Sequence, residues 1–202
     1  MTFRNAKAVL ELNHDLPSFY RALDFLLKQA ASPDVVFHCL QVSMKAKELA
    51  EKLKQMNHKI DVELCTIGGL LHDMGRTVTH SLRHAIEGAE LIRRQGWPEV
   101  LALTVERHIG GGIPREEAIG LGLPPKDYLP TTLEEKIVCY ADKLFIYSYD
   151  ASGRMIEWRE VPDCSAEAQK LQKRLGGGAL APTRLLNLER ELKALIEAVP
   201  KV

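Results

Sequence analysis

The sequence predicts an all-α protein, a bundle of about seven helices followed by an α-helical carboxy-terminal extension. Three observations support this fold class. Apolar residues recur at three- and four-residue spacing through most of the chain, capping residues stand where these segments begin, and runs that alternate as in a strand are nearly absent. The chain has 202 residues, 46% hydrophobic and 27% charged, which is typical of a globular protein with a real core.

The first helices are defined by their caps. Ser18 is expected to cap a helix that ends near Gln29, and Ser32 caps a second helix that has Pro33 at its first position and reaches about residue 56. Asp61 caps a third helix, which Gly75 ends.

Four further helices complete the predicted bundle. They are expected over about 81–95, from 98 toward the glycines at 110–112, over about 114–121, and from the capping box of Thr132 and Glu135 to about Tyr147.

The remainder of the chain changes character at Asp150, where a turn begins. A helix from Ser165, a glycine break at 176–178 and a last helix after Pro182 are expected to follow. The prediction is therefore a main domain over 1–149, with its core at 33–147, and a helical extension over 150–202.

Charge and composition exclude several classes of protein. Lys+Arg and Asp+Glu both number 27, so the net charge is zero, and the basic surface of a nucleic-acid binder is not expected. No apolar run approaches the roughly 18 residues that a membrane span needs. The four cysteines form no CxxC pair, a pattern that favours reduced core thiols. With no recognisable secretion signal, we expect a cytoplasmic protein.

Asp142 is the most unusual position in the chain. In the predicted seventh helix its neighbours one turn away are all apolar: Val138, Cys139, Phe145 and Ile146. An ionised carboxylate that is buried alone is very costly. It therefore needs a metal ion or another strong partner, such as a cation in a core salt bridge.

A second polar group stands at the end of the third helix. His72 and Asp73 follow the apolar segment 67–71 and can converge on one ion at the helix end. His38, on an apolar face of the second helix, would by itself be read as a core histidine. With Asp142, these residues supply two imidazoles and two carboxylates, a set suited to Mn, Fe, Co, Ni or Zn.

The order His…His-Asp…Asp, with HDMGR at its centre and ADK at its end, resembles the HD superfamily of metal-dependent phosphohydrolases. The similarity covers about 33–144 and is greatest to the HDIG branch, with Met74 in place of isoleucine. The segments RHAIEGAELIRR, ERHIGGGIPREEA and LEEKIVCYADKL resemble small archaeal HDIG proteins. These include a phosphodiesterase that acts on the cyclic phosphate of a dihydroneopterin.

This resemblance implies an HD-domain helical bundle that binds one or two divalent transition-metal ions. It implies hydrolysis of a phosphate ester in a small nucleotide-like molecule, including cyclic phosphates. A metal-bound hydroxide would be the nucleophile, since a metal ion lowers the pKa of bound water to about 7. Both phosphodiesterases and phosphomonoesterases fit this description. A small phosphorylated substrate is expected, and neither a nucleic-acid polymer nor a membrane.

The resemblance also implies a second metal site. His84 and His108 match positions that bind a second ion in some HD proteins, with Asp73 as the bridging ligand; contact with substrate phosphate is the alternative role. His80, expected four residues earlier on the same helical face, competes with His84.

Arg76 and Lys143 directly follow the two predicted ligand motifs. Either could bind the substrate phosphate, and Arg offers bidentate geometry. The alternative is that both are solvated surface cations.

Two other functions remain open. Oxygenases that resemble this superfamily load the same ligands with a pair of iron ions, and other HD modules sense ligands without turnover.

The carboxy-terminal helix carries an apolar stripe that could form a homodimer contact or pack onto the bundle. The stripe consists of Leu185, Leu188, Leu192, Leu195 and Val199.

Overall fold

A computed structural model describes residues 15–29, 31–175 and 180–198. Over these residues the chain is mainly helical, with one two-stranded antiparallel sheet, and the predicted all-α fold class is confirmed. The helices are α1 (Phe19–Lys28), α2 (Pro33–Gln55), α3 (Val62–Leu71), α4 (His84–Arg94), α5 (Glu99–Glu106), α6 (Arg115–Gly120), α7 (Leu133–Ala141), α8 (Ser165–Leu175) and α9 (Ala181–Glu197). The strands are β1 (Phe145–Tyr149) and β2 (Met155–Glu160).

The predicted helix caps are present. The side chains of Ser18, Ser32 and Asp61 accept hydrogen bonds from backbone N–H groups in the first turns of α1, α2 and α3. Thr132 and Glu135 form the capping box at the start of α7. Each cap satisfies an N–H group that has no partner within its helix. Because cap residues are therefore favoured at these positions, the sequence predicts these four helix starts.

The predicted end of the seventh helix is wrong. Helix α7 ends at Ala141, a 3₁₀ turn over Asp142–Leu144 follows, and the chain then enters β1. Strand β1 pairs antiparallel with β2, with Tyr147 opposite Trp158. Aromatic side chains at every second residue of β1 and the turn after it favour a hairpin over a continued helix.

The starts and ends around the candidate site also differ from prediction. Helix α4 begins at His84 rather than near residue 81, so His80 lies before the helix and does not share a helical face with His84. Helix α5 ends at Glu106, short of the glycines at 110–112.

The packing of α2 against α3 is close because α3 contains Gly69. A Cβ on Gly69 would lie 2.9 Å from the Cα of Ser43 on α2. The hydroxyl of Ser43 donates to the carbonyl of Thr66 at 2.7 Å, which fixes the two helices together. This contact places the ring of His38 beside that of His72, with centroids 4.9 Å apart.

The apolar stripe of α9 packs onto the chain's own bundle. Leu185, Leu188 and Leu192 are buried in the same cluster as residues of α2 and α7, and Leu195 packs against it. Val199 and the glycine break at 176–178 lie outside the described residues. The predicted homodimer contact and the domain division at 149/150 stay predictions.

None of the helices in the described part of the chain combines the length and apolar character needed to cross a lipid bilayer.

We expect Gly75→Ala to destabilise the protein by about 3 kcal/mol, because the added Cβ would overlap the backbone of α4. It would lie 1.9 Å from the carbonyl oxygen of His84 and 2.5 Å from the backbone nitrogen of Gly88. Chemical denaturation of the metal-free variants measures the effect.

The matched control is Gly120→Ala, whose Cβ meets nothing within 4 Å. Its free energy of unfolding should change by less than about 1 kcal/mol. Equal stability of the two variants would contradict the packing described for Gly75.

Candidate metal centre

Four histidines and two aspartates converge inside the bundle, delivered by five different segments or helix ends. They comprise all six residues predicted as metal ligands: His38 on α2, His72 and Asp73 at the end of α3, His84 at the start of α4, His108 just beyond α5, and Asp142 just beyond α7. Such a cluster could hold a metal ion.

One group consists of His38, His72 and Asp142, whose candidate ligand atoms all lie within 4.8 Å of one another. The Nε2 atoms of His38 and His72 lie 3.1 Å apart. They lie 3.0 and 3.4 Å, respectively, from Oδ1 of Asp142. The three donor atoms therefore face a common point.

Asp73 connects this group to a second pair of histidines. Its Oδ1 lies 3.0 Å from Nε2 of His84 and 3.6 Å from Nε2 of His108. Its Oδ2 lies 3.7 Å from Nε2 of both His38 and His72. The two oxygens of one carboxylate thus face two different pairs of imidazoles.

The hydrogen bonds at Nδ1 fix the tautomers of three of these histidines. A carbonyl oxygen can only accept, so an Nδ1 bonded to a carbonyl must carry the proton, and Nε2 of the neutral ring then presents a lone pair. These bonds are His72 to Gly69 at 2.8 Å, His84 to Ser81 at 2.7 Å and His108 to Val105 at 2.6 Å.

The residues fit a bound cation. When His84 and His108 carry a proton on Nδ1 only, their Nε2 lone pairs face each other across 3.2 Å, and two lone pairs cannot form a hydrogen bond. Oδ1 of Asp73 is buried and accepts no hydrogen bond, although Nε2 of His84 is close. A buried acceptor without a donor is costly, and a cation between these atoms would satisfy all three.

The electrostatics of the cluster keep both carboxylates ionised. Burial would raise the pKa of Asp73 and of Asp142, but neighbouring cations outweigh it and hold both pKa values well below the usual range. Burial likewise opposes a proton on His72, yet with no cation in the cluster Asp73 and Asp142 raise the pKa of that ring well above its ordinary value. A metal ion at Nε2 would therefore take the place of this proton. Burial lowers the pKa of His108 to about 4, so this ring is neutral at pH 7.

The two predicted phosphate-binding cations contact the candidate ligands directly. Nε of Arg76 donates to Oδ2 of Asp73 at 2.5 Å, and Lys143 donates to Oδ2 of Asp142. Both cations therefore hold and partly neutralise the carboxylates of candidate ligands, and both also line the adjoining cleft. Binding of phosphate by either residue stays a prediction.

A cleft of about 510 Å³ opens onto the cluster. Exposed His80 lines it, and so do several residues that were not predicted for the site, among them Tyr147, Tyr149, Glu167 and Lys170. The alternation of aromatic residues in β1 was the available signal for the two tyrosines. The position of α8 beside the site depends on tertiary packing and had no local signal.

A larger cleft, of about 790 Å³, lies elsewhere, along α2 and the start of α3. Its lining is mainly apolar side chains and lysines and includes no histidine. We place the functional site in the smaller cleft because only that one reaches the His/Asp cluster.

Comparison with known proteins identifies several similarities. The HD domain profile matches residues 35–145. An uncharacterized protein of Methanocaldococcus jannaschii is 47% identical over 179 residues, which cover 89% of this chain and 99% of that protein. A tRNA (cytidine(56)-2'-O)-methyltransferase of Thermoplasma volcanium is 43% identical over 148 residues, covering 73% of this chain and 41% of that protein. Ribonuclease Y of Aquifex aeolicus is 32% identical over 107 residues, which are 50% of this chain and 18% of that protein.

Proposed function

This chain belongs to the HD domain family, and from that membership and its His/Asp cluster we propose that it is a metal-dependent phosphohydrolase. The family and the cluster support this activity class. We further propose that the protein binds two divalent transition-metal ions, drawn from Mn, Fe, Co, Ni and Zn, and hydrolyses a phosphate ester of a small nucleotide-like molecule.

The observation that carries the proposal is the position of the Asp73 carboxylate between two pairs of imidazoles. In this proposal His38, His72, Asp142 and Oδ2 of Asp73 hold one ion. His84, His108 and Oδ1 of Asp73 hold the other. A mixed nitrogen and oxygen donor set suits the metals named above.

When bound, the ions supply an activated water and positive charge for the phosphoryl oxygens. The protein's own residues position the carboxylates and add positive charge. Arg76 and Lys143 hold Asp73 and Asp142 in place and add positive charge at the floor of the cleft. We propose that either His80, which is exposed in the cleft wall, or a metal-bound water gives a proton to the leaving oxygen.

The cleft supports a small substrate rather than a polymer. Its volume of about 510 Å³ lies within the range of small-molecule sites, roughly 300–1,000 Å³. The zero net charge does not favour a nucleic-acid polymer.

All four cysteines are free and buried, which is compatible with the reducing cytoplasm.

A substrate screen tests this proposal. Protein reconstituted with Mn or Fe ions would be assayed against cyclic nucleotides, nucleoside monophosphates, pterin cyclic phosphates and a short RNA. We expect turnover of a small phosphate ester. Cleavage of RNA alone would contradict the small-substrate proposal, and inactivity on every phosphate ester would contradict the phosphohydrolase itself.

We expect Asp142→Asn and Asp73→Asn to reduce the rate of hydrolysis of a model phosphodiester to the rate measured in buffer without enzyme. Each removes a charged ligand from the cluster, so bound metal measured by elemental analysis should fall as well. The control is Asp34→Asn. Asp34 lines the same cleft outside the cluster, so this variant should keep its metal. Full metal content in Asp142→Asn and Asp73→Asn would rule out the proposed ligand roles.

The two-metal arrangement predicts a binding stoichiometry near two ions per chain in an equilibrium titration. His84→Ala should lower it to about one, because only the second ion depends on that imidazole. His80→Ala removes a cleft histidine outside the cluster and should leave the value near two. A wild-type protein that saturates at one ion, with His84→Ala unchanged, would refute the second site and leave a mononuclear hydrolase.

A further inference from the structure

The four histidines of the cluster are not all held in the same way. His72, His84 and His108 each donate from Nδ1 to a backbone carbonyl three residues earlier. His38 instead has its Nδ1 2.9 Å from the hydroxyl of Tyr147. It lies inside α2, where backbone carbonyls already accept helical hydrogen bonds, so a side chain from elsewhere holds it.

The partner of His38 comes from outside the segment that matches the HD domain. That match ends at residue 145, whereas Tyr147 lies in the middle of β1. The hairpin therefore reaches back into the cluster from the part of the chain that follows the matched domain.

Tyr147 is held firmly by its surroundings. It pairs across the hairpin with Trp158, whose ring packs edge-on against Phe37, the residue before His38, at 5.6 Å between centroids. The ring of Tyr147 also packs edge-on against His38 at 5.3 Å. The hairpin is thus attached to α2 at the position where the imidazole projects.

We propose that Tyr147 is a positioning residue that fixes the ring of His38 with Nε2 directed at the metal centre. A hydroxyl that accepts from Nδ1–H leaves the lone pair on Nε2, which faces Asp142 and His72. Partners of this kind commonly change metal affinity by about 10–100-fold. The inference rests on the proposed function only in taking His38 as a metal ligand.

The test is Co²⁺ titration of Tyr147→Phe, followed by the cobalt absorption bands and by calorimetry. The substitution keeps the packed ring and removes only the hydroxyl. We expect one ion to bind about 10–100-fold more weakly with changed cobalt bands, while the other ion binds as in wild type. If wild-type protein binds a single ion, the loss should fall on that ion.

Tyr149→Phe is the matched control, since it removes a hydroxyl from the same strand at an exposed position of the same cleft. It should leave both affinities unchanged. In the absence of metal, the wild-type protein, Tyr147→Phe and Tyr149→Phe should have closely similar melting temperatures.

Wild-type affinities and cobalt bands in Tyr147→Phe would overturn the inference. So would equal weakening of both ions with a loss of metal-free stability, which indicates a general structural role. Wild-type protein that binds no Co²⁺ would overturn it together with the two-metal proposal. Wild-type protein that binds metal but hydrolyses no phosphate ester would contradict only the proposed activity, and the titration would still decide the role of Tyr147.

Discussion

The buried, ionised carboxylate of Asp73 is the constraint on which the rest of the structure depends. Its side chain is only 5% exposed, and a charge in that position must be compensated. The surrounding helices therefore deliver imidazoles and one guanidinium to it rather than apolar side chains. Arg76 compensates one oxygen, while the other has no hydrogen-bond donor. A bound cation would resolve this imbalance.

Close backbone packing is what makes this convergence possible. Gly69 allows α2 to approach α3, and Gly75 allows the turn after Asp73 to lie against α4. The three carbonyl contacts then orient His72, His84 and His108 from their own segments. Local backbone geometry therefore orients most of the cluster, and His38 is the member whose orientation needs a distant side chain.

Much of this arrangement could be predicted from sequence, because polar residues in apolar surroundings have few explanations. Helix caps gave the starts of α1, α2, α3 and α7, and the apolar context of Asp142 indicated a partner for its charge. The predicted seventh helix does not anticipate the hairpin, because it continues through residues that alternate as in a strand. The contact of Tyr147 with His38 joins positions 109 residues apart, and no local pattern encodes such a contact.

Anomalous diffraction from crystals grown with Mn²⁺ tests the central claim most directly. The account predicts two peaks within about 4 Å of each other, one on each side of the Asp73 carboxylate. One peak should lie among His38, His72 and Asp142, and the other beside His84 and His108. Fully ordered side chains with no peak at this cluster, in crystals that hold Mn²⁺ elsewhere, would contradict it.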